Sequence, residues 1–97
     1  MLYFVTCHDK PGGLPLRQAT RDAHIKYLEA HAEAFRLGGP FLDDAGEAII
    51  GSMMIVEAPD RAALDALLAQ DPYKQAGLFS RIDIRPWRWF IGNPEHH

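Results

Sequence analysis

The chain of 97 residues has a single cysteine, Cys7, which excludes an internal disulfide framework and any cysteine-built metal cluster. A reducing cytoplasm is the expected setting. Basic runs are also lacking. Ten lysines and arginines are interspersed with thirteen acidic residues for a formal charge of −3, which gives no electrostatic footprint for nucleic acid. No apolar stretch approaches the roughly 20 residues of a membrane span. Met1 to Thr6 is apolar but short, and it lacks the basic start of a signal peptide. A phosphate-cradling loop is missing too, because Gly12-Gly13 runs into Pro15 without the spaced glycines and lysine of a nucleotide site. There is no Ser-His-Asp or CxxC arrangement. His24 and His31 are seven residues apart, about 10 Å along a helix, too far to share one metal. Neither a metal nor a cofactor is expected.

An apolar content of 47% in this length supports one compact domain and not two. It is expected over residues 1–91, with a C-terminal tail over 92–97. The closing Glu95-His96-His97 reads either as native or as the remnant of a purification tag, and it contributes to no site.

Leu2 to Cys7 is a buried-strand run closed by the loop Asp9-Lys10-Pro11-Gly12-Gly13. A helix is predicted from about Leu16 to Leu37, with Tyr27, Leu28 and Phe35 at helical spacing and Gly38-Gly39-Pro40 as its stop. Phe41-Leu42 reads as a short extended piece, Asp43 to Gly46 as a turn, and Ala48 to Glu57 as a strand. Asp60 is placed to cap a second helix whose apolar stripe is Ala63, Leu64, Leu67 and Leu68. Asp71 then caps a short turn that has Pro72 at its first position. From Phe79 to Phe90 alternation puts Ile82 and Ile84 on one side and Arg81, Asp83, Arg85, Trp87 and Trp89 on the other.

This β-α-β-β-α-β order is the ferredoxin-like α+β pattern, an antiparallel sheet with both helices on one face. The other face would expose Trp87 and Trp89, so a homodimer through the open sheet face is expected. The alternative is that these rings cover the tail of their own domain.

Two ionisable residues stand where each helix should carry an apolar one. His24 is four residues before Leu28, and Asp71 is four after Leu67 and seven after Leu64. The topology places both at one end of the domain. Burying them unpaired would cost on the order of 1–3 kcal/mol each, and a mutual hydrogen bond removes most of that. A carboxylate beside the imidazole fixes its tautomer and makes a proton-transfer dyad. Arg17 and Arg21 precede His24 by seven and three residues on roughly the same side of the helix, where they could hold a substrate anion. Ser52, isolated in an apolar strand near the same end, could donate a hydrogen bond. Each residue also has a plainer reading: a core histidine, a simple N-cap, solvated arginines, a structural serine.

The combination Arg17-x3-Arg21-x2-His24-x2-Tyr27-Leu28, Gly39-Pro40, Ser52, Asp71-Pro72-Tyr73 and Ile84-Arg85-Pro86-Trp87 resembles the YciI-like family, from Met1 to about Trp89. The resemblance implies a ferredoxin-like fold in the dimeric α/β-barrel superfamily and a His and Asp acid-base pair, falling here on His24 and Asp71. One member type of the family is a dehydrochlorinase of aromatic degradation. The expected function is therefore elimination or isomerisation of a small anionic or hydroxylated aromatic substrate. The rivals are a non-catalytic ligand-binding or interaction module and a cofactor-independent monooxygenase of the same superfamily.

Overall fold

Alternation along Leu2–Asp9 buries Tyr3, Val5 and Cys7 and defines strand β1, whose apolar content suits a central position. In the computed structural model, which describes residues 1–95, it is followed by α1 (Leu14–Ala30), β2 (Phe35–Leu42), β3 (Ile49–Glu57), α2 (Arg61–Leu68), α3 (Pro72–Gln75) and β4 (Phe79–Trp87). His96 and His97, read above as native or tag, lie outside the described residues. The strands pair antiparallel in the order β2-β3-β1-β4, which is the ferredoxin-like arrangement, with the helices on one face. Tyr3, Val5, Cys7, Met54 and Val56 of the sheet meet Leu64 and Leu68 of α2 to form the core.

Local chemistry accounts for most boundaries. Pro15 lies in the first turn of α1, where its missing N–H costs nothing. The Asp60 carboxylate accepts from the Ala63 amide at 2.8 Å and opens α2.

The end of α1 differs from its sequence reading. The helix stops at Ala30 rather than near Leu37, and β2 takes up the whole of Phe35–Leu42 rather than Phe41-Leu42 alone. Phe35 pairs with Val56 in the sheet and packs edge-on against Tyr27 at 5.5 Å, so burial outweighs the helical spacing it also satisfies. Gly38-Gly39-Pro40 is thus part of a strand and not a helix stop. A Cβ at Gly38 would sit 2.7 Å from the Met53 carbonyl oxygen, so a side chain there would push the neighbouring backbone away. Pro40 is accommodated because β2 lies at the sheet edge.

The pairing of β1 with β4 slips by one residue between His8 and Asp9, so that Asp9 faces Phe79 where uninterrupted pairing would offer Ser80. The slip turns the Phe79 ring to the helix side, edge-on to Tyr73 at 6.1 Å. On the opposite face, register aligns Leu2, Phe4, Thr6 and His8 with Trp87, Arg85, Asp83 and Arg81. After β4 the chain turns back. Trp89 lies 5.6 Å from Trp87 and beneath Arg36 of β2, and Arg36 also pairs with Glu57 and Glu95.

Candidate functional site

Arg17, His24 and Tyr27 are the buried residues of α1, at intervals of seven and three that keep them on one face of the helix. Tyr27 donates its hydroxyl to the Leu67 carbonyl of α2 at 2.8 Å, which ties the two helices together. His24 meets Asp71 instead. Its Nδ1 lies 2.8 Å from Asp71 Oδ1, with only 9% of the histidine and 2% of the aspartate exposed. An ionised carboxylate only accepts, so Nδ1 carries the proton and donates, which leaves Nε2 as the ring's free acceptor. Nε2 makes no hydrogen bond among the described residues, and no buried side-chain nitrogen or oxygen lacks a partner, so Nε2 opens onto the cavity that His24 lines.

Asp71 is held by its second task. As N-cap of α3 it has an extended backbone, and the same Oδ1 accepts the Tyr73 amide at 2.9 Å. The reading of Asp71 as a cap and the reading of it as the partner of His24 both hold. Tyr73 stacks on the imidazole, centroids 4.0 Å apart and planes 17° from parallel.

Arg17 is committed to the protein. Its Nε and Nη2 donate to the two carboxylate oxygens of Asp9, each at 2.9 Å, and Nη2 also donates to Ser52 Oγ at 2.7 Å. Burial opposes the Arg17 cation, but the Asp9 carboxylate outweighs it and holds the guanidinium above its ordinary pKa. The guanidinium carbon lies 4.7 Å from the centroid of the Tyr73 ring. Arg21, exposed one turn later, lines the cavity without an ion-pair partner among the described residues.

Arg17, His24, Ser52 and Asp71 are therefore brought together, and Arg21 stands at the rim. They border a cavity of about 670 Å³ between α1 and the glycine-proline stretch of β2, large enough for a small aromatic molecule. Sequence reasoning missed Asp9 and Tyr73. The signal for Asp9 was an acid closing a buried strand at the same end of the domain as the arginines of α1. For Tyr73 it was an aromatic two residues after a buried cap. Among the described residues no three His, Cys, Asp or Glu side chains converge as a metal site, and no helix is long and apolar enough to cross a membrane.

Residues 1–88 match the YCII-related domain. Protein YciI of Escherichia coli O6:H1 is 32% identical over 95 residues, covering 91% of this chain and 97% of that protein. An uncharacterised Haemophilus influenzae protein is 30% identical over the same length and coverage. Among solved structures, the 5-chloro-2-hydroxyhydroquinone dehydrochlorinase of Burkholderia phenoliruptrix AC1100, in complex with 2,5-dihydroxybenzoquinone, superposes with a TM-score of 0.85 at 30% identity. That match covers 91% of this chain and 94% of the dehydrochlorinase. A Mycobacterium tuberculosis protein shares the fold at a TM-score of 0.53 and 15% identity, covering 93% of this chain and 96% of its own.

Proposed function

The chain belongs to the YCII-related family, and from that premise we propose that it is a cofactor-free acid-base enzyme that carries out elimination or isomerisation on a small anionic or hydroxylated aromatic substrate. The observation that carries this reading is the 2.8 Å contact between His24 and Asp71, with the free Nε2 of the imidazole on the wall of the cavity. His24 takes the proton, and Asp71 holds the tautomer and balances the imidazolium that forms.

Arg21 at the rim supplies positive charge for a substrate oxygen. Arg17, already paired, adds its field through a fixed position. Ser52 Oγ accepts from Arg17 and keeps its own O–H to offer to substrate. General acid-base action contributes about 10²- to 10⁴-fold, which suits substrates with fairly acidic protons such as polyhydroxylated rings. The Burkholderia dehydrochlorinase supports elimination in particular: a proton leaves to the base, its electron pair enters the ring system, and chloride departs with the pair of the broken C–Cl bond. The open sheet face, where Phe4 and Trp87 lie among charged side chains and Phe90 and Ile91 are each 83% exposed, supports a homodimer through that surface.

The test is a panel of chlorinated and hydroxylated aromatics assayed for proton and chloride release with the native chain, His24→Ala and Asp71→Asn. Turnover by the native chain and its loss in His24→Ala, with the fold retained, is the expected result. Full activity in His24→Ala overturns the role of the dyad, and binding without turnover by the native chain points to a ligand-binding module. Oxygen consumption by the native chain with the same compounds is the signature of a monooxygenase.

A further inference from the structure

Tyr27 and Tyr73 are both buried tyrosines, and they use their hydroxyls differently. Tyr27 donates to the Leu67 carbonyl, as a buried phenol ordinarily finds a partner. Tyr73, only 2% exposed, makes no side-chain hydrogen bond among the described residues. Since no buried side-chain oxygen is left without a partner, its hydroxyl reaches the cavity that the residue lines. Everything that orients the ring does so without that oxygen: the imidazole of His24 stacked at 4.0 Å, the edge contact with Phe79, the Arg17 guanidinium at 4.7 Å, and the backbone amide on Asp71. A phenylalanine would pack equally well. The hydroxyl is surplus to the fold.

We propose that Tyr73 is the second catalytic residue of this site, its hydroxyl donating a hydrogen bond to the substrate oxygen on which negative charge gathers while Nε2 of His24 removes the proton. This rests on the acid-base reading of the dyad and names the group that completes it. The substrate X–H bond breaks toward Nε2, and its electron pair moves onto the oxygen held by Tyr73. In an elimination the pair then returns to expel the leaving anion, and Tyr73 keeps its own proton throughout. Burial pushes the phenol pKa up, although Arg17 and Arg21 pull against it, so Tyr73 is a neutral donor at pH 7 with two positive charges beside it. Such a donor, fixed before the substrate arrives, stabilises charge at no cost of reorganisation. The substrate class narrows accordingly to a ring or enol whose acidic X–H is conjugated to an oxygen.

The test compares the native chain, Tyr73→Phe and His24→Ala, using 2,5-dihydroxybenzoquinone as the binding probe by visible absorption and chloride release from a chlorinated hydroxyhydroquinone as the turnover assay. Tyr73→Phe is expected to unfold at nearly the native temperature, because no hydrogen bond within the chain is lost. Its kcat should fall by about 10²-fold. Its affinity for the probe should fall about 10-fold, and the absorption shift of the bound probe should shrink. Native kcat and affinity in Tyr73→Phe overturn the proposal, and in that case an inactive His24→Ala leaves the dyad standing. A native chain that neither binds the probe nor releases chloride overturns both together.

Discussion

A single oxygen, Oδ1 of Asp71, lies 2.8 Å from His24 Nδ1 and 2.9 Å from the Tyr73 amide, so one carboxylate orients the imidazole and starts the helical turn behind it. The two tasks need different things. Capping needs an acceptor oxygen, whereas the dyad needs a charge.

Asp71→Asn separates them. The amide oxygen can still accept the Tyr73 N–H, so chemical denaturation should show a loss of only about 1 kcal/mol. Turnover should fall by about 10²-fold or more, because a neutral amide cannot balance the imidazolium. Asp71→Ala removes the cap as well and leaves a buried His24 donor unpaired, which adds about 1–3 kcal/mol to the loss. Equal stability of the two variants would contradict the double role.

Arg17→Met should be among the most destabilising substitutions in the chain. It strands the Asp9 carboxylate in a site where both side chains are nearly closed to solvent, a situation that costs about 3–5 kcal/mol. The pair Arg17→Met and Asp9→Leu should recover much of that, so a double-mutant cycle read by urea denaturation checks the coupling. Strictly additive losses would show that the bidentate pair contributes nothing of its own.

Burial pushes the Cys7 thiol up to about 12 from an ordinary value of 9.0, with the Asp71 charge adding to the effect. The folded state then holds a proton that the unfolded state releases above pH 9, so unfolding is favoured as pH rises from about 9 to 12. The stability from this group is fully present below pH 9. Thermal melts across that range should decline more steeply in the native chain than in Cys7→Ala. At neutral pH, a thiol reagent should modify Cys7 only when the protein unfolds.

Tyr27→Phe loses the bond to the Leu67 carbonyl, which keeps the Gln70 amide as a donor, so the cost should be only about 0.5–1.5 kcal/mol. Activity should be unchanged, because this hydroxyl faces α2 and not the cavity. A large loss of turnover in Tyr27→Phe would assign the interhelical bond a part in positioning His24.

The strands β1, β3 and β4 and both aspartate caps were legible because their signals are local: alternation along a few residues, or an acid just before a helical turn. His24 and Asp71 were legible as misfits, polar groups on stripes that should be apolar, and the topology supplied the end of the domain where they meet. The segment from His31 to Leu37 carries no breaker, so its helical spacing ran on through Phe35. Only pairing with Val56 and packing under Tyr27 decide that Phe35 belongs to β2, and both contacts lie far away in sequence. Asp9 was obscured in a similar way, since beside Lys10-Pro11-Gly12 an aspartate reads as part of a loop. What marks it as the anchor of Arg17 is the distance between them in space.

The glycine-proline stretch of β2 borders the cavity at the outermost strand of the sheet. An unpaired strand rim ordinarily invites strands from other molecules to zip on, and Pro40 interrupts that template by removing an amide donor midway. Gly38 and Gly39 beside it carry no side chains that could close off the entrance. The same three residues thus guard against aggregation and keep the doorway clear for whatever diffuses in.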